Sequence, residues 1–358
     1  MKKLIIFAIF VLSIFGLNAE TPQTSWKVLE QATRALDEDD PGSALRYAEI
    51  AKELRKTEYQ EKLDIIESAI IPLPVQKVGD LIPDVLYVLE SRNSYDAVNL
   101  INDLLDKKGS IYFENSITNM QLYLERFLDY PEADYLIGKV YMYEGEYEIA
   151  LEYYLNALDN ADILDIPATQ IDIRYDLAFL AELQQDQKLY EESLLSILEQ
   201  SDFYSPIGEN YSYTLATVNA AKQSRLADKY FLLYRINSTV FIPAYLKIAD
   251  FYDFYSEKEK AFFAITVGIL SSFTRINDIL SMRNYEYEYT NLSDFFKVAI
   301  SYVDINDWML SNKIWEGFIL FADYVKDYGN ALLAEEIYSC IENYCPIVSL
   351  RNIAQKSY

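Results

Sequence analysis

The chain has 358 residues, about half of them apolar, which is enough for the cores of two ordinary domains or for one long solenoid. It contains no histidine, which excludes Ser-His-Asp and Cys-His catalytic sites, His-liganded zinc and the H-E-x-x-H helix. With 31 basic and 56 acidic side chains the net charge is −25, which disfavours binding to nucleic acid or anionic lipid and favours basic or neutral partners.

Residues 1–19 have the pattern of a secretory signal peptide. Lys2 and Lys3 precede an almost continuous apolar stretch at 4–17, and Ala19 is the small residue that cleavage requires. No cysteine follows the stretch, so we do not expect a lipoprotein. We expect an exported chain, periplasmic or extracellular, with no transmembrane span in its mature form. The alternative is that the apolar stretch is kept as an N-terminal anchor, although it is shorter than the ~20 residues of an ordinary span.

Nearly every segment after residue 24 has helical periodicity. Glycine and proline number ten each and fall mostly between the periodic segments, and strand-like alternation is nowhere sustained over a domain. The sequence therefore predicts an all-α fold. The expected connectors lie at 70–80, 107–111, 159–169, 201–210 and 236–243.

The segment 135–157 contains the sharpest local pattern. Gly138 and Tyr141 precede a turn at Gly145, and Ala150 and Tyr154 follow it. Two antiparallel helices approach closely only where small residues leave room, and large side chains fill the space around the contact. The segment therefore predicts a helical hairpin centred on Gly138 and Ala150.

The small residue of the second helix recurs at a fixed interval. Ser193, Ala227 and Ala261 are 34 residues apart, twice in succession. Each is preceded twelve residues earlier by an expected inner partner, and the same offset joins two other pairs. The inner partners are Ala181, Leu215 and Ala249. The two other pairs are Gly138 with Ala150 and Ala322 with Ala334.

This pattern resembles the tetratricopeptide repeat (TPR) family, whose period is 34 residues. The resemblance implies a right-handed α-α superhelix of about seven helical hairpins. Divergent hairpins would occupy 20–130, regular repeats 131–275, and a degenerate hairpin with a C-terminal repeat and tail 276–358. The N-terminal part departs most from the family, because Trp26 is the only match to its leading tryptophan and the spacing from Ala97 to Ala150 is irregular.

The resemblance also implies a concave groove, lined by the first helix of each repeat, that binds a protein or peptide. Offsetting the helical positions from the packing face gives the candidate groove residues, namely Tyr135, Lys139, Met142, Tyr143, Glu182, Asp186, Asp250, Asp253, Phe254, Asp323 and Asp327. This face is acidic with interleaved aromatic residues. We therefore expect a basic or amphipathic partner in a cell-envelope assembly, not an enzyme's substrate.

Three other interpretations of these residues stay open. In the first, the acids form a solvated face that only keeps the protein soluble. A pair of carboxylates in an all-α hydrolase would need to lie ~5–9.5 Å apart, and no sequence feature marks such a pair. The third is a ligand-binding partner of a solute transporter. No cofactor or metal is expected, because nucleotide loops are absent and the Asp-rich turn at 37–40 lacks EF-hand spacing and is typical of an exposed turn with an N-cap.

Cys340 and Cys345 are the only cysteines. Five residues apart on a continuous helix, their Cβ atoms do not normally meet, which favours two thiols. Pro346 suggests that the helix ends there, so a strained local disulfide is the alternative in an exported chain.

Overall fold

The computed structural model describes residues 24–71, 78–109, 117–204, 210–224, 227–234 and 238–357. Within these ranges all the regular secondary structure is helical, and no residue lies in a strand. The predicted all-α class is confirmed. The predicted signal peptide, at 1–19, lies outside the described residues.

The chain divides into two compact units, Met1–Ile173 and Arg174–Tyr358. Unit 1 has short 3-10 turns at Arg126–Leu128 and Ala161–Ile163, and α8 (Thr169–Gln184) begins at its end. The other helices of unit 1 are α1 (Ser25–Asp37), α2 (Pro41–Ile70), α3 (Val78–Ser91), α4 (Tyr95–Lys108), α5 (Ile117–Glu125), α6 (Pro131–Glu144) and α7 (Tyr147–Asp159).

Unit 2 contains most of α8 and the helices that follow it. These are α9 (Gln187–Leu198), α10 (Tyr211–Gln223), α11 (Ala227–Phe231), α12 (Ile242–Phe254), α13 (Lys258–Arg283), α14 (Leu292–Ala299), α15 (Val303–Ser311), α16 (Ile314–Asp327), α17 (Ala331–Tyr344) and α18 (Val348–Lys356). The described residues 71, 109, 160–168, 201–204, 210 and 238–241 lie between α-helices, as expected. Helix ends extend into the expected connectors at 70, 78–80, 107–108, 159, 169 and 242–243.

Short polar residues and glycines set the ends of these helices. Asp40 caps α2 by accepting a hydrogen bond from the Ser43 N–H at 3.0 Å, as predicted for the Asp-rich turn. Asp186 caps α9 in the same way. Gly145 ends α6 with a φ of 81°, a left-handed conformation that glycine adopts without steric penalty.

Consecutive helices pack as hairpins within each unit. In unit 1, α1 packs on α2 and α6 packs on α7, and α6 also packs against α2. In unit 2, α12 packs on α13 and α16 on α17, and α16 also packs against α13. Each hairpin thus covers one face of the next, which is how a helix pair too small for its own core is stabilised.

Gly138 is the closest point of the α6–α7 hairpin. A Cβ atom placed on Gly138 would lie 2.5 Å from a ring carbon of Tyr154 on α7. Ala150 is buried on the facing helix, and the rings of Tyr141 and Tyr153 stack with centroids 5.7 Å apart. The predicted contact between small residues is therefore present, and Gly138 is required because Tyr154 fills its side-chain space.

The small residues at the repeating positions are buried. They are Gly138, Ala150, Ala181, Ser193, Ala227, Ala249, Ala261, Ala322 and Ala334. The prediction was wrong for Leu215, which is 39% exposed on α10, whereas Thr214, Thr217 and Val218 turn inward. The helix α11, which packs on α10, is only five residues long.

The helix α13 is long and apolar enough to cross a membrane, by length and composition alone. However, 72% of its most apolar window is buried within the fold. Leu246 of α12 packs so closely against it that a Cβ atom on Gly268 would lie 2.9 Å from a Leu246 methyl carbon. These features are typical of a core helix.

The connector between α7 and α8 is held by charged side chains from several helices of unit 1. Asp162 accepts hydrogen bonds from Arg126 at 2.7 and 2.8 Å and pairs with Lys108 at 2.9 Å. Asp165 receives two hydrogen bonds from Arg55, and its own N–H donates to Glu132 at 2.5 Å. The segment 159–169, expected only as a connector, is therefore bound to the rest of unit 1 by ion pairs and hydrogen bonds.

Cys340 and Cys345 are free and buried. Cys340 lies inside α17, and Cys345 is the residue that ends this helix. The two-thiol interpretation is confirmed. Burial raises the pKa of the Cys340 thiol to about 12 and that of Cys345 to about 11, so both are protonated at neutral pH.

Candidate functional site

Unit 2 contains a cleft with a volume of about 750 Å³. Three segments line it: the turn between α8 and α9, the exposed side of α12, and the turn between α15 and α16. The charged and aromatic lining residues include Glu182, Asp186, Tyr190, Lys247, Asp250, Phe251, Phe254, Tyr255, Lys313 and Glu316.

The floor of the cleft is one face of α12. Lys247, Asp250 and Phe254 lie at positions i, i+3 and i+7, which places them in a line along this helix. Pro243 and Tyr255 mark the two ends of the lined stretch. The helix rises 1.5 Å per residue, so the line from Pro243 to Phe254 is about 16 Å long.

Four aromatic side chains form a continuous row beside these residues. The ring centroids of Tyr190 and Phe251 are 5.5 Å apart, and those of Phe251 and Tyr255 are 4.8 Å apart. Phe254 meets Tyr255 edge-on at 5.0 Å. Phe254 is 79% exposed, so the aromatic row (Tyr190, Phe251, Tyr255, Phe254) ends in an apolar ring that is open to a ligand.

Charged side chains of both signs line the cleft, with four acids against two lysines. Among the described residues, Glu182, Asp250, Lys247 and Lys313 have no hydrogen-bond or ion-pair partner, and the buried Oε2 atom of Glu316 has none either. Asp186 is the exception, since it caps α9. Unpartnered charges that converge on one cavity are available to a ligand.

The electrostatic environment of Asp250 is dominated by its position in the cleft. Desolvation by the cleft walls raises the pKa of this carboxyl above its ordinary value, although the residue is exposed. Lys313 opposes that shift, and the carboxylates of Asp253 and Glu316 add to it. Asp250 is thus an ionisable group whose charged form would gain from a positive ligand.

Tyr190 also lines the cleft, and its pKa is affected by acidic side chains there. Burial raises the pKa of Tyr190 to about 12, and the negative charges of Glu182 and Asp250 contribute to the rise. Glu182 on α8 and Asp250 on α12 therefore act on one phenol. The two carboxylates face the same part of the cleft.

Lys313 has an unusual backbone conformation, with a φ of 55° at the residue before α16. A side chain other than glycine, asparagine or aspartate is uncommon in this left-handed region. The conformation ends the turn after Asn312 and directs the first residues of α16 into the cleft wall. Asp39, Asn93, Gln185 and Ser256 have the same conformation in other turns between helices, so it is a feature of the short turns of this fold.

Four of the predicted groove residues line this cleft, namely Glu182, Asp186, Asp250 and Phe254. Asp253, Asp323 and Asp327 do not line it. Each is exposed and has a partner within the fold. Asp253 accepts a hydrogen bond from the Tyr324 hydroxyl at 2.7 Å. Asp323 accepts one from the Tyr338 hydroxyl, and Asp327 pairs with Lys258 at 3.5 Å.

The geometry of α16 explains why Asp323 and Asp327 do not line the cleft. This helix enters the cleft wall by its first turn, with Lys313, Glu316 and Gly317. Asp323 lies six residues beyond Gly317, which is about 9 Å farther along the axis. The groove residues were selected with the same helical offset in every repeat. That offset does not account for a helix such as α16, which contributes only its first turn to the cleft.

The remaining predicted groove residues belong to unit 1 and do not line this cleft. Tyr135 is half-buried, and its ring centroid lies 5.7 Å from that of Tyr154. Lys139 lies over the Tyr135 ring, and Met142 is half-buried. Tyr143 is exposed and donates a hydrogen bond to Asp39 at 3.4 Å.

Six of these lining residues were not predicted from the sequence, namely Lys247, Lys313, Glu316, Tyr190, Phe251 and Tyr255. Lys247 and Phe251 lie three residues before and one residue after Asp250, so the helical period from Asp250 and Phe254 was a signal for Lys247. No sequence signal points to Lys313 or Glu316, because only the packing of α16 against α13 brings them to the cleft.

The described part of the chain contains no cluster of three or more acidic or cysteine side chains arranged to hold a metal ion. No protein-family model matches the sequence. The chain is similar to an uncharacterized protein of Treponema pallidum (strain Nichols), with 27% identity over 322 residues that cover 90% of this chain and 86% of that protein. The similarity is longer than either unit, so it includes residues of both.

Proposed function

We propose that the protein is an exported scaffold that binds a basic or amphipathic protein or peptide through the cleft of unit 2. In this proposal the hairpins form a TPR-like superhelix, the signal at residues 1–19 directs the chain to the periplasm or the extracellular space, and the protein serves a cell-envelope assembly. The 34-residue interval through Ser193, Ala227 and Ala261 and the burial of all three support the repeat assignment.

The observation that carries the binding proposal is the set of unpartnered charges around the aromatic row. Surface acids that serve only solubility have no reason to converge on an apolar cavity. Here Glu182, Asp250 and Glu316 do so, beside the exposed ring of Phe254. A carboxylate next to an aromatic face suits the positive head and apolar stem of a basic side chain.

The test is capture of partners from the native envelope by the full-length chain, at low and moderate salt. The variant combines Glu182→Gln, Asp186→Asn and Asp250→Asn. Its control combines Asp202→Asn, Glu288→Gln and Glu335→Gln, which removes the same charge at exposed positions outside the cleft. We expect capture to weaken with salt and with the cleft variant only. Equal capture by all three proteins would contradict the proposal.

Export has its own test. We expect the N-terminal residue of the protein recovered from the envelope or medium to be Glu20, the residue after Ala19. Recovery of the intact N-terminus in the membrane fraction would identify the apolar stretch as an anchor.

A second candidate function is a ligand-binding partner of a solute transporter. The cleft volume of about 750 Å³ favours it, since small-molecule sites commonly occupy about 300–1,000 Å³. Native mass spectrometry of the chain isolated from its source distinguishes the two functions. A small molecule that is lost on Asp250→Asn substitution would favour the solute-binding function over the scaffold.

A further inference from the structure

The unpartnered acids of the cleft differ from the neighbouring acids on the same helices. Asp253 and Asp323 each accept a hydrogen bond from a tyrosine hydroxyl, and Asp327 has Lys258 beside it. Asp250 has no such donor among the described residues. Asp250 is exposed within the cleft, so its carboxylate is accessible to a cation and can form a charge-assisted hydrogen bond with it.

We propose that the cleft recognises a guanidinium or ammonium group on an aliphatic stem, with Asp250 as its counter-ion and Lys313 as an internal competitor that limits its affinity. The inference rests on the proposed function, because it names the chemical group that the cleft selects. It adds a specificity element, Lys313, to the acids and the aromatic row.

The aromatic row provides the surface for the stem. Asp250 and Phe254 are one helical turn apart on the same face of α12, so a cation held at Asp250 has the Phe254 ring beside it. Methylene groups pack on such a ring, and the positive head gains from its π face. A bare inorganic cation would use the carboxylate and leave the row unused.

Lys313 lines the same cleft as Asp250, at the residue before α16. Its positive charge acts on Asp250, yet the two side chains form no ion pair within the described structure. Lys313 therefore partly neutralises Asp250 from a distance without occupying the hydrogen-bonding position. An incoming cation keeps access to Asp250 and is repelled by Lys313, which sets a limit on affinity.

Two sources of this chemistry fit the cleft. The line from Pro243 to Phe254, about 16 Å long, matches an extended peptide of about five residues at 3.3 Å per residue. A free amine with an aliphatic stem would occupy only the part near Asp250. The experiment therefore includes one probe of each kind.

The peptide probe is a library of blocked five-residue peptides with mixed flanking residues and arginine, lysine, citrulline or norleucine at the centre. The small probe is agmatine, which carries a guanidinium on a four-carbon stem. Binding to the full-length chain is measured by fluorescence competition. We expect arginine and lysine centres to bind at least about tenfold more tightly than citrulline and norleucine, since a charge-assisted hydrogen bond contributes more than a neutral one.

Three variants test the roles of the residues. Asp250→Asn should weaken basic ligands by about tenfold, whereas Asp327→Asn, an exposed acid outside the cleft, should leave them unchanged. Lys313→Asn, which keeps a residue tolerant of the left-handed backbone, should strengthen them by about threefold. A purely structural role for Lys313 would give weaker binding or none.

The outcomes separate this inference from the proposed function. Tight binding of the basic peptides with weak agmatine binding identifies a peptide segment, and equal binding of agmatine identifies a free amine. If citrulline and norleucine peptides bind as well as arginine peptides, and Phe254→Ala weakens them, the cleft binds peptides and the cation anchor is wrong. If no probe binds and no variant changes capture from the envelope, the proposed function fails as well.

Discussion

Arg55 holds Asp165 through two hydrogen bonds of 2.9 Å, although the two residues are 110 positions apart in the chain. The ring centroids of Tyr59 and Tyr130 lie 3.9 and 4.9 Å from the guanidinium carbon. Arg55 is 4% exposed. A buried guanidinium is tolerated because its charge is paired and its faces are packed on aromatic rings.

Substitution of Asp165→Asn should destabilise unit 1, because Arg55 keeps its charge and loses its counter-ion. Breaking a fully buried pair costs about 3–5 kcal/mol, and we expect about 2 kcal/mol here since the Asp165 side chain is 43% exposed. Urea unfolding followed by circular dichroism measures the change. Glu30→Gln is the control, because Glu30 pairs with Arg34 at an exposed helix surface and should change stability by less than about 0.5 kcal/mol. Equal effects of the two substitutions would contradict the assigned role of Arg55.

Asp162 should make the stability of unit 1 sensitive to acid. Desolvation alone would raise its pKa, but the hydrogen bonds from Lys108, Arg126 and Tyr123 outweigh it and hold the pKa below the ordinary 3.8. A carboxyl with a lowered folded-state pKa stabilises the fold above its unfolded pKa and loses that contribution as the pH falls through the folded value.

The measurement compares the wild type with Asp162→Asn at pH 7 and at successively lower pH. The wild type should be more stable at pH 7, and the gap should close as Asp162 becomes protonated. A gap that is the same at every pH would show that Asp162 contributes by its shape and not by its charge.

Gly138→Ala should destabilise the α6–α7 hairpin, because the added Cβ would lie 2.5 Å from the Tyr154 ring. Overpacking of this kind typically costs about 1–3 kcal/mol. The matched control is Gly42→Ala in α2, where the nearest atom is 3.8 Å away and alanine should be neutral or slightly stabilising. Thermal unfolding of both variants tests the contact, and a neutral Gly138→Ala would show that the helices are not in close contact there.

Cys340 and Cys345 should resist thiol reagents in the folded protein. Both thiols are buried, and their raised pKa values of about 12 and about 11 leave almost no thiolate at pH 8. Mass spectrometry after iodoacetamide treatment should find no label under native conditions and two labels in denaturant. Failure to label in denaturant without reductant would indicate a disulfide instead.

The sequence by itself determined the helical class and the local features of this protein. Periodicity, glycine at Gly145 and the carboxylate of Asp40 act over a single turn, so they specify where helices begin and end whatever surrounds them. The Gly138 contact was also predictable, because a hairpin joins residues close in the chain. The TPR superhelix and the exported location stay predictions from the same sequence.

Only the tertiary structure decided which charges meet. The sequence pattern does not distinguish Asp250 from Asp323. In the structure Asp250 lines the cleft, whereas Asp323 accepts a hydrogen bond from the Tyr338 hydroxyl. The partnership of Arg55 with Asp165 likewise depends on where the chain returns after 110 residues. Helical periodicity gives the direction of a side chain relative to its own axis, whereas its neighbours depend on the angle and depth at which separate helices pack.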